Sequence, residues 1–357
     1  MDPFVYTANP SRIVFGSGAL RELPAELDRL GATRALVLST PGQRDSAERV
    51  SALLGKRSAG VHAQAVMHVP IETARAAREE ARRREAQCAV ALGGGSTIGL
   101  GKAIALDSGL PIIAIPTTYS GSEMTPIWGL TEAGLKRTGR DARVLPRTVI
   151  YDPELSLALP VGISVTSGIN AIAHAAEGLY AHDGNPVTAL MAEEGIRALG
   201  TALPRLIEQP QDLAARSDAL YGAWLCGSVL GAVAMGLHHK LCHTLGGSFN
   251  LPHAEVHTVV LPHALAYNAA AAPAAMARIA RALGVADPMQ VPQAVFDLAR
   301  RCGAPTSLAA IGMPADGLDR AADLAVTTPY PNPRPLERAA LRSLLQRAFA
   351  GLAPSHQ

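Results

Sequence analysis

Histidines are concentrated in one short stretch of this chain, the residues from Gly236 to His257, which holds five of its eleven histidines. Imidazole is the side chain best suited to moving protons near neutral pH, and it is the most common metal ligand. His239 and His243 are four residues apart, so on a helix they lie on the same face. For any single histidine, a hydrogen-bonded surface position is an equally good interpretation. For the cluster as a whole, the concentration favours a site for proton transfer or metal binding.

The residues before this cluster predict the helix that carries it. Ala214–His243 is a long and mostly apolar segment, and Gly246 and Gly247 follow it closely. Glycine adopts the left-handed conformation that closes many helices, so these two residues predict the helix end. His253 comes directly after Pro252, and we expect it in a loop or at the start of the next helix.

A second pair of polar side chains lies on an earlier predicted helix, Gly168–Ala181. Asn170 and His174 are four residues apart within it and therefore share one face. We expect both to face inward together with three residues of the later stretch, His239, His243 and His253. The pattern thus predicts a cluster of five polar groups inside a helical domain.

The composition is that of a globular chain with two domains. At 357 residues the chain is too long for one ordinary core, and its 48% apolar and 17% charged residues exclude a disordered protein. A formal net charge of +2 argues against a nucleic-acid partner, which would require a clustered basic surface. Ala219–Leu237 is uncharged and long enough to span a bilayer. Its many small residues favour a buried helix instead, so we expect no membrane partner.

The cysteines and the first residues indicate where the protein works. The four cysteines are scattered and form no CxxC pair, and no basic and apolar leader precedes the first strand. Free thiols are typical of a reducing compartment, and export would need such a leader. We therefore expect a cytoplasmic protein.

Short apolar runs alternate with helical patterns in the first half of the chain. The predicted strands are Ile13–Gly16, Ala35–Ser39, Ala63–His68, Cys88–Leu92 and Ile112–Ile115. This alternation predicts an α/β domain with a parallel sheet covered on both faces. From Tyr151 onward, long Ala- and Leu-rich segments predict helices alone. We place the boundary near residue 160, with an α/β domain over residues 1–160 and an all-α domain over residues 161–357.

Two loops at the ends of predicted strands have the residues of a phosphate or nucleotide site. Strand Cys88–Leu92 is followed by a glycine-rich turn and a helix, and glycines there let a pyrophosphate approach the backbone and the helix N-terminus. The next strand ends in a loop of hydroxylated residues at the same edge of the sheet, where ligands bind in open α/β folds. The residues concerned are Gly93, Gly94, Gly95 and Ser96 in the first loop and Thr117, Thr118, Tyr119 and Ser122 in the second.

These motifs together resemble the iron-containing (group III) alcohol dehydrogenase family. The resemblance is carried by GGGS after a strand, PTTYSGSE, the GINAIAHAAEG helix and HHKLCHTLGGSFNLPHAEVH, and it runs through nearly the whole chain. It implies an N-terminal Rossmann-like domain, an all-α C-terminal domain, as in the dehydroquinate synthase-like architecture, and an active site in the cleft between them. It also implies a homodimer.

The resemblance assigns the cofactor to the first domain. It implies that NADH or NADPH binds with its pyrophosphate on Gly93, Gly94, Gly95 and Ser96, and with its nicotinamide and ribose beside Thr117, Thr118 and Ser122. Relatives selective for NAD carry an Asp after the strand Ala35–Ser39, whereas this chain has Thr40. Because no carboxylate repels a 2′-phosphate there, we expect NADPH to be accepted alongside NADH.

In metal-dependent members of the family one Asp and three His hold the ion. The equivalent positions here are Asn170, His174, His239 and His253, so an amide replaces the carboxylate. Hard divalent ions prefer carboxylate oxygens, and three imidazoles and an amide carry no negative charge. We therefore expect no tightly bound metal.

The histidine stretch is most similar to the branch of the family that reduces the C=C bond of maleylacetate to give 3-oxoadipate. For that activity we expect His243 and His253 to act as electrophile and proton donor, with His239 close to both. The substrate is a dicarboxylate, so Lys240 is a candidate for its binding. Further candidates for substrate contacts are Tyr119, Ser122, His174 and Asn170.

Three other interpretations remain open at this point. The first is a metal-dependent alcohol or aldehyde dehydrogenase of the same family that tolerates Asn170. The second is a cyclising lyase of the dehydroquinate synthase type, which shares the two-domain plan. The third is a dinucleotide-binding protein without catalytic activity.

Overall fold

The computed structural model describes residues 3–9, 11–133 and 135–355. The chain forms two units: one is Ala8–Leu159, and the other runs from Pro160 to the end of the described chain, together with the residues up to Thr7. The first is an α/β unit and the second is built from helices. The expected fold class, a parallel sheet with helices followed by an all-α part, is confirmed.

The α/β unit is built on a six-stranded sheet in which every pairing is parallel. Its strand order is β1-β8-β5-β4-β2-β3. The central strands are apolar and buried throughout, as expected when helices cover both faces. The strands are β1 (Arg12–Phe15), β2 (Ala35–Leu38), β3 (Ser58–His62), β4 (Cys88–Gly93), β5 (Ile112–Pro116) and β8 (Thr148–Tyr151).

Two helices pack on each face of this sheet. One face is covered by α1 (Leu23–Arg29) and α2 (Arg44–Leu54), the other by α3 (Ile71–Arg83) and α4 (Gly95–Ser108). A separate antiparallel pair, β6 (Ile127–Glu132) and β7 (Leu135–Arg140), was not predicted.

The predicted strand Ala63–His68 is wrong. The strand in this region is β3, which ends at His62. His68 and Val69 have φ angles of 65° and 44°, a left-handed conformation that cannot continue a pleated strand. The apolar pattern of this segment comes from Ala63, Ala65 and Val69, which are buried but lie outside the sheet.

Nine helices make up the described part of the second unit. They are α5 (Val161–Gly178), α6 (Pro186–Glu208), α7 (Leu213–Ala232), α8 (Leu237–Phe249), α9 (His253–Asn268), α10 (Pro273–Leu283), α11 (Val291–Arg301), α12 (Gly317–Thr327) and α13 (Arg338–Phe349). The bend between α7 and α8 is 94°. Among the described residues no single helix is long and apolar enough to cross a membrane, and α7 and α8 reach that length and composition only as a bent pair.

The prediction of one helix over Ala214–His243 is therefore wrong, and so is its end at the glycines. The chain leaves the helix at Val233, which is extended, and two carboxylates bind the N–H groups of the break: Asp183 accepts from Ala234, and Glu177 accepts from Gly236. Helix α8 then continues through both glycines to Phe249 and ends at the left-handed Asn250.

A buried lysine joins helix α4 to the loop after β5. Lys102 Nζ lies 2.8 Å from the carbonyl oxygen of Thr125, 2.9 Å from its hydroxyl and 2.7 Å from the carbonyl oxygen of Ile127. Burial lowers the pKa of Lys102 to about 7, but three acceptors engage three N–H bonds, which only the ammonium form has. In the same loop the buried Glu123 accepts a hydrogen bond from Tyr151 at 3.0 Å.

We predict that Lys102→Met destabilises the α/β unit and weakens dinucleotide binding. The change leaves three buried acceptors without a donor, at a cost of roughly 1–3 kcal/mol for each such group. Urea denaturation should show a free energy of unfolding lower by at least about 2 kcal/mol, and NADH fluorescence titration should show a larger Kd. Lys56→Met at an exposed position is the control. Equal unfolding midpoints for the two variants would contradict the prediction.

Candidate active site

The glycine-rich loop between β4 and α4 is shaped so that only glycine fits at its first two positions. Gly93 has a φ of 148°, and a Cβ there would lie 2.5 Å from Thr97 Oγ1. A Cβ on Gly94 would lie 2.9 Å from Thr118 Oγ1. Helix α4 begins at Gly95 with no side-chain cap, so its first N–H groups are available to an anion. This geometry agrees with the predicted pyrophosphate site.

The second predicted loop lies next to the first. The N–H of Thr117 donates to the carbonyl oxygen of Gly93 at 3.1 Å. Gln43 donates from Nε2 to Thr117 Oγ1 at 2.9 Å, and Thr40 Oγ1 lies 3.5 Å from Gln43 Oε1. The structure thus brings Thr40, Thr117 and Thr118 to the same edge of the sheet as the glycines. Gln43 was missed because a single glutamine after a strand carries no recognisable motif.

The remaining loop residues differ in exposure. Ser122 is partly exposed and begins a short 3-10 turn that ends at Met124. Tyr119, in contrast, is fully buried. This burial does not favour Tyr119 as a hydroxyl donor to a substrate, and its role stays a prediction.

One face of helix α5 carries the polar residues of the second unit. Asn170, His174 and Glu177 follow one another at helical spacing and are 3%, 3% and 0% exposed. Asn170 Oδ1 is buried and makes no hydrogen bond to the described residues. His174 and Glu177 both contact helix α8.

Glu177 is the buried residue of this cluster that sequence reasoning missed. Its carboxylate accepts hydrogen bonds from the backbone N–H groups of Gly236 at 3.0 Å, His238 at 2.8 Å and His239 at 3.2 Å. It also lies 2.7 Å from Nδ1 of the His239 ring, and Tyr180 donates to it at 3.4 Å. A buried carboxylate at a helix N-terminus is favourable because it binds N–H groups that have no partner within the helix. The available signal was its position in HAAEG, three residues after His174.

The hydrogen bonds continue from Glu177 through two imidazoles. An ionised carboxylate only accepts, so His239 Nδ1 carries the proton that it donates to Glu177. In the neutral ring, His239 Nε2 is then an acceptor, and His174 Nδ1 lies 2.8 Å from it. The order is therefore Glu177, His239, His174, with each nitrogen assigned its role by the preceding partner.

A second pair of histidines, His238 and His257, packs against the ring of His239. His238 Nε2 is 2.9 Å from His257 Nδ1, and both side chains are fully buried. Burial lowers the pKa of each ring well below the ordinary value, and the neighbouring histidines lower the pKa further. Both rings are therefore neutral near pH 7 and cannot act as cationic donors.

The two predicted catalytic histidines are more accessible. His243 is exposed and His253 is partly exposed. The ring of His243 lies 6.2 Å from that of His239, and the ring of His253 lies 4.3 Å from that of His257. His253 is the first residue of α9, which agrees with its expected place at a helix start.

The side chain of Lys240 contacts Tyr330. Its Nζ lies 5.8 Å from the centre of the Tyr330 ring, in a cation–π contact. Among the predicted residues of this unit, the structure brings His174, His239, His243 and His253 together, with Asn170 one turn before His174 on α5. Among the described residues, no side-chain hydrogen bond joins Lys240 to them.

A cavity of about 450 Å³ lies on the other side of Glu177. Its lining includes Glu177, Tyr180, Gly236 and Asn332, together with apolar residues, but none of the clustered histidines. The cavity borders Glu177, which binds His239, but it contains none of the proposed catalytic histidines. We therefore do not assign the substrate to it.

Comparison with known proteins places both units in one family. Residues 10–153 match the family description "Iron-containing alcohol dehydrogenase". Residues 164–349 match "Fe-containing alcohol dehydrogenase family, C-terminal". The two matches together cover most of the chain.

Individual relatives are similar over their full length. The chain is 68% identical to a maleylacetate reductase of Burkholderia cepacia, covering 99% of this chain and 100% of the relative. It is 57% identical to a maleylacetate reductase of Sphingobium indicum, covering 98% and 99%.

Solved structures agree with this placement. The crystal structure of maleylacetate reductase from Agrobacterium tumefaciens superposes with a TM-score of 0.95 at 56% identity and covers 99% of this chain and 100% of that one. A sulfoacetaldehyde reductase from Bifidobacterium kashiwanohense, solved in complex with NAD+, shares the fold at 23% identity, with a TM-score of 0.90 and coverage of 98% and 99%. The chain belongs to the iron-containing alcohol dehydrogenase family.

Proposed function

We propose that this protein is an oxidoreductase that uses NADH or NADPH to reduce the C=C bond of maleylacetate and gives 3-oxoadipate, in the breakdown of aromatic compounds. The observation that carries the proposal is full-length identity of 68% and 57% to two proteins named for that reaction. The geometry of the α/β unit supports the dinucleotide site, and the geometry of the helical unit supports the proton chemistry.

The α/β unit supplies the dinucleotide site. The close approaches at Gly93 and Gly94 leave room for the pyrophosphate beside the first turn of α4. Thr117 and Thr118 lie beside these glycines, where the nicotinamide and ribose are expected. Thr40 offers a hydroxyl and no carboxylate, which supports use of both NADH and NADPH.

The histidines of the helical unit supply the proton chemistry. The dinucleotide held beside Gly93, Gly94 and Thr117 would supply a hydride to the carbon β to the ketone, and the electron pair of the C=C bond would form an enolate. Hydrogen-bond donors stabilise the enolate oxygen, and a proton added at the α carbon completes the reduction. We assign the two accessible residues, His243 and His253, to these donor roles, because His238 and His257 are buried and neutral.

The residues at the family's metal positions do not fit its iron ion. They offer three imidazoles and one amide, with no carboxylate among them, and loss of the only anionic ligand lowers the affinity for a dication although imidazoles can bind iron. The anion of this region, Glu177, binds the outer nitrogen of His239 instead. We therefore propose that the enzyme works without a tightly bound metal.

One observation favours a second candidate function. His174, His239 and His253 are imidazole ligands of the type that zinc and iron sites use, and other members of the family reduce aldehydes with a metal. A metal-dependent alcohol or aldehyde dehydrogenase is therefore the alternative, and dependence on an added ion distinguishes the two.

The proposed function also indicates the cellular compartment and the partners of the protein. The four cysteines are free and buried, in keeping with the reducing cytoplasm where such catabolism takes place. The homodimer stays a prediction, as does the expectation of a small dicarboxylate partner with no nucleic acid and no membrane.

The proposed function is tested by following NADH absorbance with maleylacetate, before and after dialysis against a chelator. We expect rapid oxidation of NADH, an unchanged rate after chelation, and 3-oxoadipate as the product. A simple aldehyde should give no comparable rate. Loss of activity on chelation with recovery on adding iron, together with reduction of a simple aldehyde, would instead establish the metal-dependent alternative.

We predict that His243→Ala retains NADH binding and loses turnover. Removing a general acid or electrophile commonly lowers kcat by roughly 10²- to 10⁴-fold. Stopped-flow kinetics would measure kcat, and fluorescence titration would measure the Kd for NADH. His182→Ala removes an exposed histidine of the same unit and serves as the control. A near-normal kcat for His243→Ala would remove that residue from the mechanism.

A further inference from the structure

Three buried side chains behind the hydrogen-bonded imidazoles form a compact group. His238 and Cys242 are four residues apart on α8 and share one face, and His257 reaches them from α9. Each of the three offers a ligand atom within 4.8 Å of the others. None of the three is more than 1% exposed.

Two separations within this group are close to those of a tetrahedral ion site. Bonds of about 2.0–2.1 Å to nitrogen and about 2.3 Å to sulfur place two nitrogens about 3.3 Å apart and a nitrogen and a sulfur about 3.6 Å apart. Here His238 Nε2 lies 2.9 Å from His257 Nδ1 and 3.6 Å from Cys242 Sγ. Cys242 Sγ also lies 3.9 Å from Nδ1 of His238, so it sits over the ring, and binding an ion requires the Cys242 side chain to turn toward the lone pair of Nε2.

The charges of the surroundings suit a divalent cation. Burial and the nearby charge of Glu177 raise the pKa of the Cys242 thiol, so the thiolate, with its one negative charge, forms only together with the ion. A dication, a thiolate and a carboxylate sum to zero. Because the total charge is zero, the free-energy cost of burying the ion in a region of low dielectric constant is reduced.

We propose that His238, Cys242 and His257 provide three ligands for a thiophilic divalent ion such as Zn²⁺. This site differs from the family's positions at Asn170, His174, His239 and His253 in every residue. It includes a soft sulfur ligand, which selects zinc, cobalt and cadmium over hard ions.

The protons balance as follows. Formation of the sulfur–metal bond breaks the S–H bond of Cys242, and that proton leaves to solvent. The hydrogen bond between His238 and His257 holds one proton between the facing nitrogens. When both nitrogens bind the ion, that proton moves to the far nitrogen of its own ring. Nε2 of His257 is buried and makes no hydrogen bond to the described residues, so it can carry the proton without losing a partner. One proton is released for each ion bound.

Cobalt is the probe for this site because a thiolate–Co²⁺ bond has its own charge-transfer absorption in the near ultraviolet. We expect the purified protein, incubated with Co²⁺, to show this band together with the intense visible bands of tetrahedral cobalt, saturating at one ion per chain. Cys242→Ser should lose the charge-transfer band. Cys302→Ser, at another buried cysteine of the same unit, should keep it.

The outcomes separate this site from the family's metal positions. Visible cobalt bands without the charge-transfer band would place the ion on imidazoles alone and overturn the proposal. A band that survives in Cys242→Ser, or no cobalt bound at all, would overturn it equally. These spectra do not depend on turnover, so they stand apart from the test of the proposed function.

Thermal unfolding provides a second measurement that needs no variant. At free Zn²⁺ concentrations about 100 times the Kd, the wild-type Tm should rise by about 5 °C or more. Mg²⁺ at the same concentration should leave the Tm unchanged, because the site has no oxygen ligand from the protein. An equal rise with both ions would contradict the assignment of a soft-metal site.

Discussion

The carboxylate of Glu177 is the constraint on which the helical unit depends. It is fully buried and accepts hydrogen bonds from three backbone N–H groups at the start of α8 and from the ring of His239. A buried carboxylate is tolerated only when its oxygens are satisfied in this way. Because the same group anchors the backbone and the imidazole, the bend between α7 and α8 and the orientation of His239 have one cause. A change in the bend or in the orientation of His239 would leave the Glu177 carboxylate without some of its hydrogen-bond donors.

This arrangement explains how the chain accommodates Asn170. Metal-dependent members of the family need an anion in contact with the ion, and this chain has an amide at that position. The negative charge of the region lies instead behind His239, where it fixes which nitrogen carries a proton. The proposed reaction develops its negative charge on a delocalised enolate. That chemistry asks less of an electrophile than reduction of an isolated carbonyl does.

Much of the fold could be predicted from the sequence because its signals are local. Buried apolar strands alternating with helices indicated the parallel sheet, and the glycine-rich loop is where it was expected. The bend at Val233–Gly236 could not be predicted, because its cause is a hydrogen bond to Glu177, a residue distant in sequence. The glycines after His243 led to a wrong prediction of the helix end. They lie within α8, because tertiary packing of the helix outweighs their weak helix propensity. Of the site residues, the histidines were identifiable by type, whereas Glu177 and Gln43 required the hydrogen bonds.

Neutron diffraction from a deuterated crystal at neutral pH tests the central claim most directly, because it locates each proton and any ion in the same map. The account predicts a deuteron on His239 Nδ1 directed at Glu177, and one further deuteron between His239 Nε2 and His174 Nδ1. A metal ion bonded to both of those facing nitrogens, or a deuteron on Glu177 with none on His239 Nδ1, would contradict it.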